Sequence, residues 1–365
     1  MNTDQVTGFE PEAAVSPQGR PETRAPFMKA IQIAAPGGDW QLVEREIPAI
    51  PKPDWVRIKV QACGICHKDQ LVKEGQWPGL QYPRIPGHEV AGVIDEVGAG
   101  VTVWRKGQRV GVGWYGGHCG LCIPCRRGNF IGCRKGGITG FTHDGGYAEY
   151  MVAPAQSLAA IRDGRLGPED VGPLMCAGVT TFNALRRADA EHGDLVAIQG
   201  MGGLGHLGIQ FAHKLGYRTV AISRGDGSRE LALKLGANVY INSDVKDPAQ
   251  ELQRMGGAKV VLYAEPSGKS APALMDGLGV EGQMIVVGAS PEPIEISPTQ
   301  LISGLHSIRG WDSGVAIDCE DMLVFSGTAG IRPMVELFPL DEAAQAFERM
   351  RSGEAKFRVV LTMNR

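Results

Sequence analysis

The sequence predicts an α/β protein built in two unlike parts: an irregular, glycine-rich β domain, and a domain in which strands and helices alternate around a parallel sheet. Three observations carry this prediction. Short alternating apolar runs, punctuated by Gly and Pro, fill the first half. From about Val179 the pattern changes to strand and helix in turn. Within that region a short apolar strand, Asp194 to Gln199, runs into Gly200-Met201-Gly202-Gly203-Leu204-Gly205 and then into a segment of helical period, His206 to Leu215. A length of 365 residues makes two domains the natural expectation and can bury a core without staples.

Composition narrows the classes. A formal charge of −3 gives no reason to expect nucleic acid or an anionic membrane as partner. No apolar run approaches the ~18 residues of a membrane span. Residues 1–27 are rich in Pro, Glu, Gln and Arg, and read as a disordered leader that resembles neither a secretion signal nor a transit peptide. Eight cysteines, four of them clustered, point to metal ligation in a reducing cytoplasm rather than to disulfides.

In chain order, Met28 to Ile33 alternates weakly, and Trp55 to Ala62 alternates clearly and leads into Cys63-Gly64-Ile65-Cys66-His67-Lys68-Asp69. Val90 to Val97 and Gln108 to Val112 are further short strands. A thiolate at Cys66 and an imidazole at His88, in Pro86-Gly87-His88-Glu89, are good zinc ligands. Cys176, in Pro173-Leu174-Met175-Cys176-Ala177-Gly178, is the best third ligand. Two sulfurs and a nitrogen leave a fourth tetrahedral position open, which a catalytic zinc needs. Taken singly, each residue is as readily a packed thiol or a loop histidine.

Cys119, Cys122, Cys125 and Cys133 lie in one loop. A closed four-thiolate zinc is favoured over an iron–sulfur cluster, whose usual spacing brings the last Cys sooner and follows it with Pro, whereas Arg134 follows here. His118 and His143 read as ordinary loop histidines. The glycine turn, set between strand and helix, reads as a dinucleotide site, because glycines let the backbone approach a pyrophosphate at the helix N-terminus. Tyr217 to Ser223, Val260 to Ala264 and Met284 to Val287 are expected strands of the same sheet.

Together these residues resemble the zinc-dependent, medium-chain alcohol dehydrogenase family, with most similarity to its cinnamyl- and yeast-type branches. The resemblance spans Met28 to Arg365. It implies a GroES-like catalytic domain (28–178 and 317–365) interrupted by a Rossmann domain (179–316) with a doubly wound parallel sheet. It implies Cys66, His88 and Cys176 as catalytic zinc ligands, Glu89 as an acidic neighbour able to approach the metal, and Asp69 as the carboxylate orienting the histidine. It further implies Cys119, Cys122, Cys125 and Cys133 as the structural zinc site, His67 and Arg358 as pyrophosphate contacts, and Trp77 and Trp114 as substrate-pocket walls. Cys63 and Cys319 have no role in it.

The implied reaction is reversible hydride transfer between a nicotinamide and an alcohol–aldehyde pair, the metal polarising the oxygen. Reduction of another polarised bond, C=N or activated C=C, on the same scaffold is the alternative. A non-catalytic nucleotide-binding protein is disfavoured by an open metal site. A homo-oligomer, tetramer rather than dimer, is also implied.

Two departures are specific to this chain. Where NAD-binding folds place an acid ~20 residues after the glycine motif, Ser223 stands here, followed by Arg224. Both suit a 2′-phosphate, with Arg229 within reach, so NADP(H) is expected, and NAD(H), served by Asp226 or a neighbour, is the alternative. Second, the resemblance puts Ser or Thr after Cys66-His67 and His three residues on, as a proton relay. Lys68 and Leu71 occupy these positions. A buried lysine near a cation should have a lowered pKa and could carry the proton, unless it snorkels away and water does so.

Overall fold

Two sheets organise the chain, which the computed structural model describes over residues 26–162 and 164–363. The expected leader lies outside the described residues except for Pro26 and Phe27, and Phe27 already opens the first strand, Phe27–Gln32.

The first sheet is mixed and has seven strands. Its axis is Trp55–Ile65, whose inward positions Val56, Ile58, Val60 and Ala62 are fully buried. This strand runs three residues past the expected end at Ala62, because Arg358–Thr362 pairs with it antiparallel in the register Val359 to Ile65. That partner comes from the far end of the chain, so local pattern could not announce it. Val90–Val97 and Tyr150–Pro154 also pair with it antiparallel, and Arg109–Val112 continues from Val90–Val97.

The second sheet is parallel, with strands in the order Val239–Asn242, Arg218–Ser223, Leu195–Gln199, Ala258–Tyr263, Leu278–Val286, Ser307–Gly310. Numbered by sequence this is the doubly wound order 3-2-1-4-5-6, in which ligands bind beyond the carboxyl ends of the central strands. Leu195–Gln199 is buried along its whole length, as a central parallel strand must be. Val239–Asn242 and Ser307–Gly310 were not foreseen, since neither shows a long apolar run.

A helical run from Pro168 to Arg186 connects the two sheets, and the division expected at residues 178 and 179 falls inside it. Its middle, Leu174–Gly178, is one π-helical turn carrying Cys176. Such turns are rare and concentrate at functional sites. Among the described residues no helix is long and apolar enough to cross a membrane.

Candidate active site

The end of Trp55–Ile65, the start of Val90–Val97 and the π-helical turn converge. Cys66, His88, Glu89 and Cys176 each offer one donor atom, and the four lie within 4.8 Å of one another. His88 and Glu89 are fully buried. Gly64 makes room for the carboxylate, since a Cβ there would lie 2.0 Å from Glu89 Oε2.

Asp69 stands behind His88. Its Oδ1 lies 3.2 Å from His88 Nδ1, close but not aligned as a hydrogen bond, so the contact is chiefly electrostatic. Its Oδ2 accepts from the Cys66 N–H at 2.9 Å and from the Tyr147 hydroxyl at 2.8 Å. Tyr147 was not foreseen, and no local motif marks it, because it lies 78 residues from Asp69.

The electrostatics ask for a cation. Burial pushes the His88 imidazole down, but Asp69 and Cys66 push it up further, to about 10. Burial raises Glu89 to about 7 against the pull of Arg358. Cys66 and Cys176 are set against each other: the facing sulfur drives Cys66 well down, and the same neighbour together with burial pushes Cys176 well up. His88 Nε2 and Glu89 Oε2 are buried without hydrogen-bond partners, which is costly unless something else satisfies them. Thiolate, imidazole and carboxylate gathered in this way fit zinc.

The second cluster is Cys119, Cys122, Cys125 and Cys133, again within 4.8 Å. Sγ separations of 3.4 Å (Cys122–Cys125), 3.6 Å (Cys119–Cys133) and 3.8 Å (Cys122–Cys133) are far beyond a disulfide bond. They approach the ~3.8 Å edge of a tetrahedron with ~2.3 Å Zn–S bonds. Backbone N–H groups of Cys125 and Arg134 lower Cys122 to about 6, while burial raises Cys125 to about 12. His118 stays outside the cluster, stacked on Phe130 with its ring 4.2 Å away.

Trp114 meets His88 edge-on at 5.0 Å, Trp77 at 5.8 Å and Phe141 at 4.9 Å. Together they form an aromatic wall beside the donor cluster. Phe141 was missed in sequence because it sits in a Gly-rich loop far from the other two. Leu71 packs into the same wall.

Lys68 departs from expectation. Its Nζ pairs with Asp312 Oδ1 at 2.8 Å and lies 4.0 Å from the Trp114 ring centre. Burial pushes the ammonium down, but Asp312, Cys176 and Cys66 push it up further, and the net shift is upward. The motif does not announce this partner: a carboxylate supplied from outside it pairs with the ammonium.

The glycine turn leaves the carboxyl end of Leu195–Gln199. Gly200 has φ +96°, open to glycine alone at low cost. A Cβ on Gly205 would lie 1.7 Å from the Gly200 carbonyl. Gly202 and Leu204 complete the turn, and Leu204 caps the helix Gly205–Lys214. One on Gly203 would lie 2.7 Å from Arg358 Nη1, so this arginine reaches the turn. Arg358 also donates to Glu89 Oε1 and, at 3.1 Å, to the Ile65 carbonyl. A cleft of about 690 Å³ extends from Gly200 and Gly202 past Ser223, Arg224 and Asp244 to Glu265. Arg229 is not brought into it: Asp226 accepts from its Nε at 2.9 Å and its Nη2 at 2.6 Å, in an ion pair three residues apart. His67 is exposed beside Cys66 and has no side-chain hydrogen bond among the described residues.

Known proteins show the same plan. Residues 52–163 match the alcohol dehydrogenase GroES-like domain and residues 203–326 the zinc-binding dehydrogenase domain. The alcohol dehydrogenase patD of Penicillium expansum is 41% identical over 314 residues, covering 86% of this chain and 92% of that protein. The chain belongs to the zinc-dependent, medium-chain alcohol dehydrogenase family. As a member it is an alcohol dehydrogenase-type enzyme, an oxidoreductase of alcohols and aldehydes. A solved cinnamyl alcohol dehydrogenase of Sorghum bicolor superposes with TM-score 0.83 at 30% identity, over 92% of this chain and 98% of that one. That of Helicobacter pylori, complexed with NADP(H), gives 0.81 at 26% identity over the same shares. The family is built around zinc and a nicotinamide cofactor, and the two donor clusters and the glycine turn are the matching features here.

Proposed function

We propose that this enzyme interconverts a primary alcohol and its aldehyde with NADP(H), and holds two zinc ions per chain. The observation that carries the reading is the gathering of Cys66, His88, Glu89 and Cys176 beside an aromatic wall and within reach, through Glu89 and Arg358, of the glycine turn. Cys66, His88 and Cys176 would hold the catalytic ion, with Glu89 as the exchangeable fourth donor. Cys119, Cys122, Cys125 and Cys133 would hold the structural one. When bound, zinc supplies Lewis-acid polarisation of the reacting oxygen.

The chain's own residues do the rest. Asp69, fixed by Tyr147, orients the imidazole. Trp77, Trp114 and Phe141 exclude water from the reacting carbon. His67, Arg358 and the N–H groups of the glycine turn take the pyrophosphate. Ser223 and Arg224 take the 2′-phosphate, a choice supported by the lack of an acid at Ser223 and by the place of both along the cleft. Lys68 stays in the site as a fixed cation.

In the same reading, residues 28–178 with 317–365 form the catalytic domain, 179–316 the cofactor domain, and the enzyme is a cytoplasmic homo-tetramer. The test combines metal analysis with kcat/KM for aldehydes and alcohols under both cofactors. Two zincs per chain and turnover favouring NADP(H) are expected. Cys176→Ser should abolish turnover with the fold intact, whereas Cys122→Ser should lower Tm, because structural zinc binding is folding free energy. Equal loss of fold from both would contradict the assignment.

A further inference from the structure

Asp312 lies in the turn after the last strand of the parallel sheet, Ser307–Gly310, in the half of the molecule opposite the metal donors. The turn is held firmly. Ser313 adopts φ +48°, unusual for a residue with a side chain, and its carbonyl accepts from Asn183 Nδ2 at 3.2 Å and Trp311 Nε1 at 3.1 Å. Asp312 is thereby aimed at Lys68, 2.8 Å away. Lys68 Nζ in turn covers the face of Trp114, the ring that meets His88 edge-on. A wall that would be purely apolar is capped by an ion pair.

An ammonium has three donors. Asp312 takes one, and among the described residues no other hydrogen-bond acceptor takes the remaining two. The Lys68 side chain is 26% exposed and that of Asp312 58%, so both are open to a small molecule.

We infer that the Lys68–Asp312 pair sets substrate specificity, selecting alcohols and aldehydes that carry an oxygen on the carbon next to the reacting one. Lys68 donates to that oxygen, and where it is a hydroxyl, Asp312 accepts its proton in a hydrogen bond. Purely hydrocarbon substrates would have to strip water from the ammonium without replacing it, which disfavours them. The inference rests on the reading of the region beside the aromatic wall as the alcohol–aldehyde site.

The test compares glycolaldehyde with propanal, which differ by a hydroxyl in place of a methyl. Alongside, the unreactive glycolamide and propionamide are titrated into the zinc- and NADPH-loaded enzyme and read by tryptophan fluorescence. The hydroxylated member should be preferred about tenfold or more, in kcat/KM and in Kd, the size expected for one charged hydrogen bond. Lys68→Met should bring both ratios near one, and Asp312→Asn should reduce them. A wild-type Kd ratio near one, or a ratio unchanged in Lys68→Met with zinc content intact, overturns the inference. Binding of neither amide also overturns it. A Kd preference lost in Lys68→Met, without turnover of either aldehyde, upholds the pair as the recognition element and sinks the proposed reaction instead.

Discussion

Arg358 donates to Glu89 from the first residue of its strand, and the same guanidinium fills the space that a side chain on Gly203 would need. One residue thus ties the buried donor cluster to the cofactor turn. Glycine at 203 is required by this contact, not by backbone angle. Gly203→Ala should push on the Arg358 guanidinium and on its Cδ, 3.1 Å away, raising the cofactor KM about tenfold and weakening the tie to Glu89, which lowers Tm. Gly205→Ala meets the Gly200 backbone and should cost about 1–3 kcal/mol of stability, as overpacking does. Thermal melts and cofactor KM for both variants check the contrast.

Tyr147 supports the metal site through Asp69. Tyr147→Phe keeps the ring in its buried place and removes only the donor to Asp69 Oδ2. Loss of such a supporting hydrogen bond typically costs 10- to 100-fold in metal affinity, so about that is expected here. Competition against a chelator of known affinity measures it. Unchanged affinity would show that the Cys66 N–H alone positions the carboxylate.

Metal removal should expose a pH dependence. In the metal-free protein His88 is raised to about 10 from about 6.5 unfolded. The stability this contributes is fully present below about 6.5 and lost as pH rises through 10. Glu89, raised to about 7, has the same sign: its contribution is present below about 4.3 and lost as pH rises through 7. Cys66, driven well down, contributes with the opposite sign, so the falling limb belongs to the alkaline side: the chelated enzyme should lose stability as pH rises through 10, and zinc binding near pH 7 should release protons. Calorimetry in buffers of different ionisation enthalpy counts them. Zinc binding without proton release would contradict the charge state assigned to His88.

Cofactor choice should rest on Ser223 and Arg224 and not on Arg229. Arg224→Ala should raise KM for NADP(H) roughly tenfold, as loss of a charged hydrogen bond does. Arg229→Ala should leave it nearly unchanged, because Asp226 already holds that guanidinium. Ser223→Asp should turn preference towards NAD(H). A wild-type preference for NAD(H) would overturn the assignment.

What the sequence by itself determined were the features written in local spacing. The four-cysteine loop, the strand–glycine–helix unit and the Cys66 and His88 motifs can be read directly, because ligands and turns a few residues apart are brought together by short-range geometry. The same holds for Val90–Val97, whose strand bounds match those expected. Tertiary structure alone decided what depends on distant partners. Arg358–Thr362 lengthens the central strand to Ile65, Tyr147 braces Asp69, and Phe141 completes the wall beside Trp114. Lys68 is the sharpest case. Its motif suggests an amine beside a cation, with a lowered pKa. Asp312, 244 residues away, pairs with that amine, because the charge set against a side chain depends on what the fold brings to it.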